Sequence, residues 1–409
     1  MKRITCFTAT RAEYSLLRNT LLALTADKDF EPLLLVSGTH LRPEFGFTLQ
    51  ELGDDGFRDF HPVPLDYSSD SAAANAGRSA AVLNGLAPLF TELRPDALMV
   101  IGDRYETLAA AQCACLMNIP VLHLHGGELS FGSQDNQFRH AISKLSHLHF
   151  PATAAARERL IRMGEAPDRV FLTGAPGIEN IHQQALMPLD ELQAQLNLNW
   201  HTHNVLLTYH PDSMNPDNSL REFMALRQAL DEIPQLGVIA TYPNADAGHR
   251  GIIAALNDWQ AERPEHVSLH QSLGVCRYLS LMHEVDLVIG NSSSGIIEAP
   301  SMGTPTINIG DRQKGRDRAA SVVDVPATAA VIREAVTQAF ATPHGDIRNP
   351  YDQGATSQKI LAILKQTDFP ALCLRGHELH YAELEHDIAH ETIKTMYQVR
   401  KHPTDPPRS

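Results

Sequence analysis

Between Gly290 and Arg316 the chain reads GNSSSGIIEAPSMGTPTINIGDRQKGR, a run whose residue types suit a phosphate and a ribose. Val285, Leu287, Val288 and Ile289 are expected to form a buried strand, and Asn291-Ser292-Ser293-Ser294-Gly295 is a small-residue turn opening a helix. A helix start presents N–H groups with no intrahelical partner, serine hydroxyls add donors, and the macrodipole adds roughly half a positive charge. Glu298 then falls on the first helical turn, where a carboxylate can accept both hydroxyls of a ribose. A helix cap alone would need one serine. Three serines followed by Gly295 and an inward glutamate exceed that need.

The other polar clusters share one position in the pattern, the carboxyl end of an apolar strand. Asp103 and Arg104 follow Ala97–Ile101, His125-Gly126-Gly127-Glu128 follow Val121–Leu124, His210-Pro211 follow Val205–Tyr209, and Asn244 and Asp246 follow Val238–Tyr242. Open parallel sheets bind ligands there. Each cluster also has a plainer reading. Asp103 and Asp135 could be N-caps, Glu128 a loop carboxylate paired with an arginine, His210 a core histidine, and Gly126-Gly127 a tight turn.

Strands and helices alternate throughout, which predicts an α/β protein with parallel sheets. The first half offers strands at Arg3–Thr8, Glu31–Ser37, Ala97–Ile101, Val121–His125 and Val170–Thr173, and the second at Val205–Tyr209, Val238–Tyr242, Val285–Ile289 and Thr306–Ile309. The first helix, from about Arg11, carries Tyr14, Leu17, Leu21 and Leu24 on one face. We expect two Rossmann-like domains facing a cleft, residues 1–186 and 187–354, with helices in 355–409 packing back on the first. The boundary lies within Pro176–Asn204, where the strand pattern lapses around a polar helix, Leu189–Leu196.

Composition narrows the partners. At 409 residues the chain is long enough for two or three domains, and a net charge of −14 argues against a nucleic-acid surface. An anionic ligand would need positive charge concentrated locally, which Arg11, Arg104, Arg312, Lys314 and Arg316 can supply. Cys6, Cys113, Cys115, Cys276 and Cys373 read as reduced core thiols, so a cytoplasmic protein is expected, with no membrane partner, signal peptide or anchor. His377, His380, His386 and His390 in the tail fit a solvated helix better than a metal site.

With these pieces in hand, the chain resembles the hydrolysing UDP-N-acetylglucosamine 2-epimerases of bacterial sialic-acid synthesis, which release UDP and N-acetylmannosamine. The matching motifs are Arg11-Ala12-Glu13-Tyr14, Gly102-Asp103-Arg104-Tyr105-Glu106, His125-Gly126-Gly127-Glu128, RHAISKLSH from Arg139 to His147, PNADAG from Pro243 to Gly248, and Gly290 to Arg316. The resemblance implies a glycosyltransferase-B-like fold with UDP on the second domain. It places the diphosphate on Ser292 and Ser293 and the ribose on Glu298, with Arg11, Ser15, Arg104, His210, Asn244 and Arg312 completing the pocket. It puts acid–base work on Asp103 and Asp135, and on Glu128 or His125, since His125 stands where some relatives carry a glutamate. It also implies a homodimer or homotetramer.

Alternatives stay open. The sugar could be that of UDP-2,4-diacetamido-2,4,6-trideoxyglucose, used in legionaminic-acid synthesis; the enzyme could be a non-hydrolysing 2-epimerase or a glycosyltransferase; or the site could sense a nucleotide sugar without turnover. No cofactor is expected. The chain has neither a G-x-G-x-x-G strand-turn-helix nor a G-x-x-x-x-G-K-[ST] loop, and arginines with backbone amides can neutralise a diphosphate without metal.

Overall fold

The computed structural model describes residues 1–42, 48–69, 71–131, 134–212, 216–244, 248–342 and 347–374. Two parallel sheets of six strands account for the apolar runs. The first comprises β1 (Lys2–Thr8), β2 (Phe30–Ser37), β3 (Phe60–Val63), β4 (Ala97–Ile101), β5 (Val121–Leu124) and β6 (Leu148–Phe150), in the order β3-β2-β1-β4-β5-β6. The second comprises β7 (His203–Thr208), β8 (Leu236–Thr241), β9 (Val267–His270), β10 (Leu287–Gly290), β11 (Thr306–Ile309) and β12 (Val322–Val325), in the order β12-β11-β10-β7-β8-β9. Renumbered within its own sheet, each follows the 3-2-1-4-5-6 order of doubly wound nucleotide-binding folds. Strand order reverses between β1 and β4 and between β7 and β10, so each sheet has one crevice at its carboxyl edge.

Two expectations need correction. Val170–Thr173 is no strand: only Val170 bridges, to His149, and the sixth place in the sheet belongs to Leu148–Phe150. The alternating histidines of that segment hide its apolar character, because His149 is buried by pairing its Nε2 with Glu165 Oε2 at 3.1 Å. The cysteines are not mostly core thiols either. Cys6 and Cys113 are buried, whereas Cys115 is exposed and Cys276 and Cys373 are intermediate, and all five are free.

The helix Arg11–Ala26 opens with a capping box, Thr10 and Glu13 each accepting from the other's backbone N–H. Its Tyr14, Leu17, Leu21 and Leu24 are all buried, and share one core with Ile4, Met99 and Leu122. Ile360 and Leu364 from the helix Thr356–Gln366, and Phe369 from the short helix after it, fill the same core. Residues 375–409, including the tail histidines, lie outside the described residues. A smaller cluster of Ala152, Ala175, Ile178, Ile296, Ile297, Val322 and Tyr351 forms the apolar seam between the halves. No helix among the described residues is long and apolar enough to cross a membrane.

Ile360 is fully buried against the first sheet although it follows the second in the chain. Ile360→Ala should therefore cost about 2–4 kcal/mol in urea unfolding. A loss under about 0.5 kcal/mol would show that this helix is not part of the first core.

Candidate functional site

The two strand-order reversals are where the sequence-derived candidates collect. In the second sheet β10 ends at Gly290, whose φ of 133° and close approach to β7 require glycine: a Cβ would stand 2.1 Å from the Thr208 carbonyl oxygen. Asn291 then ties the two strands together. Its Oδ1 accepts from the His210 N–H at 2.7 Å and its Nδ2 donates to the His210 carbonyl at 2.8 Å. Sequence reasoning passed over Asn291, although it opens the serine run. Beyond it the N–H groups of Ser292 and Ser293 have no acceptor among the described residues, and Ser292 Oγ lies 3.0 Å from Ser294 Oγ. Arg312 Nη1 donates to the Asn291 carbonyl at 3.1 Å, which holds a guanidinium beside this turn. His210 Nδ1 accepts from the Asn244 N–H at 3.0 Å, so a neutral His210 ring carries its proton on Nε2.

The expected helix is broken. One turn, Ser294–Ile297, is followed by a second, Ala299–Met302, with Glu298 at the joint rather than on the first turn of a continuous helix. Pro300 explains the break, since it has no N–H and its ring crowds the carbonyl four residues back. A single turn aligns few peptide dipoles, so anion binding here rests on amide and hydroxyl donors more than on a macrodipole.

In the first half, Gly102 (φ 80°) turns the chain after β4 and presents Asp103. Asp103 is not the helix cap. That position is held by Arg104, and Asp103 Oδ2 instead accepts from Arg139, which is 1% exposed. Arg139 also donates to the Glu128 carbonyl and to Ser130 Oγ, both at 3.0 Å, and so fixes Asp103 against the His125–Glu128 loop. His123 supports the same turn. Its Nε2 lies 2.8 Å from the Gly102 carbonyl and its Nδ1 3.1 Å from Ser143 Oγ, and burial pushes its pKa down to about 3, so it is neutral and donates through Nε2. Arg139 belongs to the RHAISKLSH motif and His123 only to the strand expected at Val121–His125, and neither residue type in that pattern points to a role. Arg104 is held by buried Glu106, Nε to Oε2 at 3.1 Å.

Gly126 and Gly127 are demanded by packing: a Cβ on the first would lie 2.9 Å from His123 Nδ1, and on the second, at φ 79°, 2.4 Å from the Ala156 carbonyl oxygen. His125 adopts φ 62°, unusual for a side chain with a Cβ. Its Nδ1 sits 2.5 Å from Glu128 Oε1, while Arg316, arriving from the second half, pairs with Glu128 Oε2. Burial alone would raise the Glu128 pKa, but the His125 ring and the Arg316 guanidinium outweigh it and hold the carboxyl below its usual range. The loops also meet through the Phe131 N–H, which donates to the Lys314 carbonyl at 2.9 Å, and through Thr153 and Asp317. Asp135 begins the helix Asp135–Leu145, half-buried and close enough to Arg316 to favour its charge.

His125, Glu128, Asp135, Glu298 and Arg316 therefore cluster where the halves join, and His210, Asn244, Ser292, Ser293 and Arg312 lie along the second-sheet crevice. Ser15 lines a cavity of ≈ 330 Å³ with Tyr14, Arg18, Asp55 and Asn180, next to Leu16, which like Glu298 borders Gly177. The Arg11 side chain and Asp246 lie outside the described residues. The Lys314 ammonium makes an exposed pair with Asp311 at 3.5 Å. Among the described residues no three His, Cys, Asp or Glu side chains are grouped as a metal would need.

Burial at the joint raises the Glu298 pKa to about 7, against the opposing pull of His125 and Arg316. An unfolded glutamate titrates near 4.3. Glu298 thus favours folding while protonated, and that contribution is lost as pH rises from roughly 4.3 to about 7. Glu298→Gln should match the wild type at pH 4 and exceed it by up to about 3 kcal/mol at pH 8 in urea unfolding. Equal stability at pH 8 would contradict the burial of this carboxylate.

Comparison with known proteins bears on the whole arrangement. The family model described as UDP-N-acetylglucosamine 2-epimerase matches residues 22–365. The chain is 37% identical to the GDP/UDP-N,N'-diacetylbacillosamine 2-epimerase (hydrolyzing) of Campylobacter jejuni, over 79% of this chain and 84% of that protein. It is 36% identical to the UDP-N,N'-diacetylbacillosamine 2-epimerase (hydrolyzing) of Legionella pneumophila, over 89% and 96%, and 30% identical to a UDP-N-acetylglucosamine 2-epimerase of Neisseria meningitidis, over 87% and 92%. The UDP-GlcNAc 2-epimerase of Methanocaldococcus jannaschii, solved with UDP-GlcNAc and UDP, superposes with a TM-score of 0.74 at 16% identity, covering 89% of this chain and all of that one. By the extent of the family match and the identity of these relatives, the chain belongs to the UDP-N-acetylglucosamine 2-epimerase family.

Proposed function

We propose that this protein is a hydrolysing 2-epimerase of a UDP-sugar and that its sugar is 2,4-diacetamido-2,4,6-trideoxyglucose, also called N,N'-diacetylbacillosamine. The observation that carries the reading is the pair of relatives at 37% and 36% identity, both named as hydrolysing 2-epimerases of that sugar nucleotide. They outrank the Neisseria protein at 30%, so the reading moves from UDP-N-acetylglucosamine and sialic acid to the diacetamido sugar and legionaminic acid.

In this reading UDP sits on the second half. Ser292, Ser293 and Arg312 take the diphosphate, His210 and Asn244 border the nucleotide, and Glu298 accepts the ribose hydroxyls. Arg11, Ser15 and Arg104 complete the pocket from the first half. The hydrogen on C-2 has no neighbouring carbonyl and is scarcely acidic, so the C-1 to oxygen bond must break first or nearly so. Donors around the diphosphate stabilise the charge that develops on the leaving group, each worth several kcal/mol. The oxocarbenium-like centre acidifies C-2, a base removes its proton to give a glycal, and a second group protonates the opposite face while water adds at C-1. Asp103, Asp135 and the His125–Glu128 pair are the groups for that work.

Incubation in deuterated water with either UDP-sugar, followed by proton NMR, tests the reading. Free 2-epimerised diacetamido sugar carrying deuterium at C-2, plus UDP, is expected, with kcat/KM about tenfold or more above that for UDP-N-acetylglucosamine. Preference for UDP-N-acetylglucosamine would restore the sialic-acid reading, and an intact epimerised UDP-sugar would overturn hydrolysis. Asp103→Asn should lose about 10²–10⁴ in kcat while binding UDP normally; near-normal turnover would remove Asp103 from the chemistry.

A further inference from the structure

Resting on the hydrolysing-epimerase reading, we infer that His125 Nε2 is the base that takes the C-2 proton, and that Arg316, reaching across from the second half, positions it through Glu128. Both oxygens of Glu128 are occupied, Oε1 by His125 Nδ1 at 2.5 Å and Oε2 by Arg316, and the residue is 2% exposed. Buried and with each oxygen already bonded, Glu128 presents little to a sugar. An ionised Glu128 accepts from Nδ1–H, so the neutral form of the ring has its lone pair on Nε2. That nitrogen is buried without a hydrogen-bond partner among the described residues, an expensive arrangement unless a ligand meets it. The left-handed backbone of His125 is a second cost borne at the same residue. The resulting order of groups, carboxylate to Nδ1–H with a free Nε2, is that of a histidine base oriented by an acid.

Arg316 gives the arrangement its dependence on the second half. It comes from the loop after β11, 188 residues from Glu128, and is itself largely buried in the joint. The Arg316 bond to Glu128 spans the two halves, so this part of the support for the ring is supplied by the second half. In the reaction the Nε2 lone pair forms the new N–H bond to the C-2 proton. The former C–H electron pair becomes the C-1 to C-2 double bond, and the C-1 to oxygen pair leaves with UDP. The glycal then takes a proton at C-2 from a carboxylic acid of the site, water bonds to C-1, and the proton lost by that water restores the acid. His125 returns its proton to solvent, which matches the one proton released in forming UDP and the free sugar.

The charged and titratable groups coupled to the ring or to its two partners include Glu128 on its own loop, His123 on β5, Asp135, Glu298 at the joint of the two short helices, Arg316 on the loop after β11 and Tyr351. Only a change acting through Glu128 should move the ring's protonation in opposite directions. Glu128→Gln keeps an acceptor for Nδ1–H but removes the adjacent negative charge, so the acid limb of the kcat profile should move to lower pH. Arg316→Met leaves the carboxylate unneutralised and should move that limb up. His125→Gln should lose about 10²–10⁴ in kcat, together with the limb, while UDP affinity measured by calorimetry stays within a few-fold.

A limb that stays in place in Glu128→Gln, or that survives in His125→Gln, assigns the titration to another group such as Glu298 and overturns the inference. If Arg316→Met does not fold, the Glu128→Gln shift decides alone. A wild-type enzyme that releases no UDP from either sugar nucleotide would instead overturn the functional reading beneath it.

Discussion

A charge pair buried between two domains is costly to break, because separating it strands one charge away from water. Glu128 and Arg316 form such a pair at the meeting of two otherwise independent α/β sheets, and the layout of the cleft follows from it. The pair commits Glu128 to the joint, turns His125 by its second oxygen, and takes Arg316 out of the group of arginines available to a diphosphate. Arg312 is left beside the serine turn, on the Asn291 carbonyl. Both side chains of the pair are largely withdrawn from water.

The sheets explain why the clusters face one another at all. In a doubly wound sheet the chain leaves neighbouring strands in opposite directions at one point, which opens a crevice without any side chain being removed. Gly102-Asp103 occupies that point in the first sheet and Asn291-Ser292-Ser293 in the second. Each is held by a buried polar residue rather than by the helix after it. His123 takes the Gly102 carbonyl, and Asn291 takes both backbone groups of His210. These supports are satisfied hydrogen bonds in low dielectric, where leaving one unmade costs more than forming it gains.

Much of this was legible in the sequence, for physical reasons. Strands buried on both faces are near-continuous apolar runs, so Ala97–Ile101, Val205–Tyr209 and Val285–Ile289 are legible in the sequence, and with them the polar residues at their carboxyl ends. The edge strands Phe60–Val63, Val267–His270 and Val322–Val325 are not, being four residues long and partly exposed. The helix break at Glu298 was available from Pro300 and was masked by the pull of the serine run. The sequence allows Glu128 to pair with an arginine, but the partner stands 188 residues away, beyond the reach of any local pattern. Nor could periodicity reveal that Asp103 leans on Arg139 or that the ring of His123 lies under both glycines' loop.

We propose that the serine turn grips the nucleotide so that the glycosyl carbon points at the acidic and imidazole groups of the first half. A crystal structure of the UDP complex measures this directly. The account predicts diphosphate oxygens about 3 Å from the Ser292 and Ser293 donors, with the ribose hydroxyls on Glu298 and the outer phosphate toward His125. UDP bound elsewhere, or in the crevice with its diphosphate turned away from the serine turn, would contradict it.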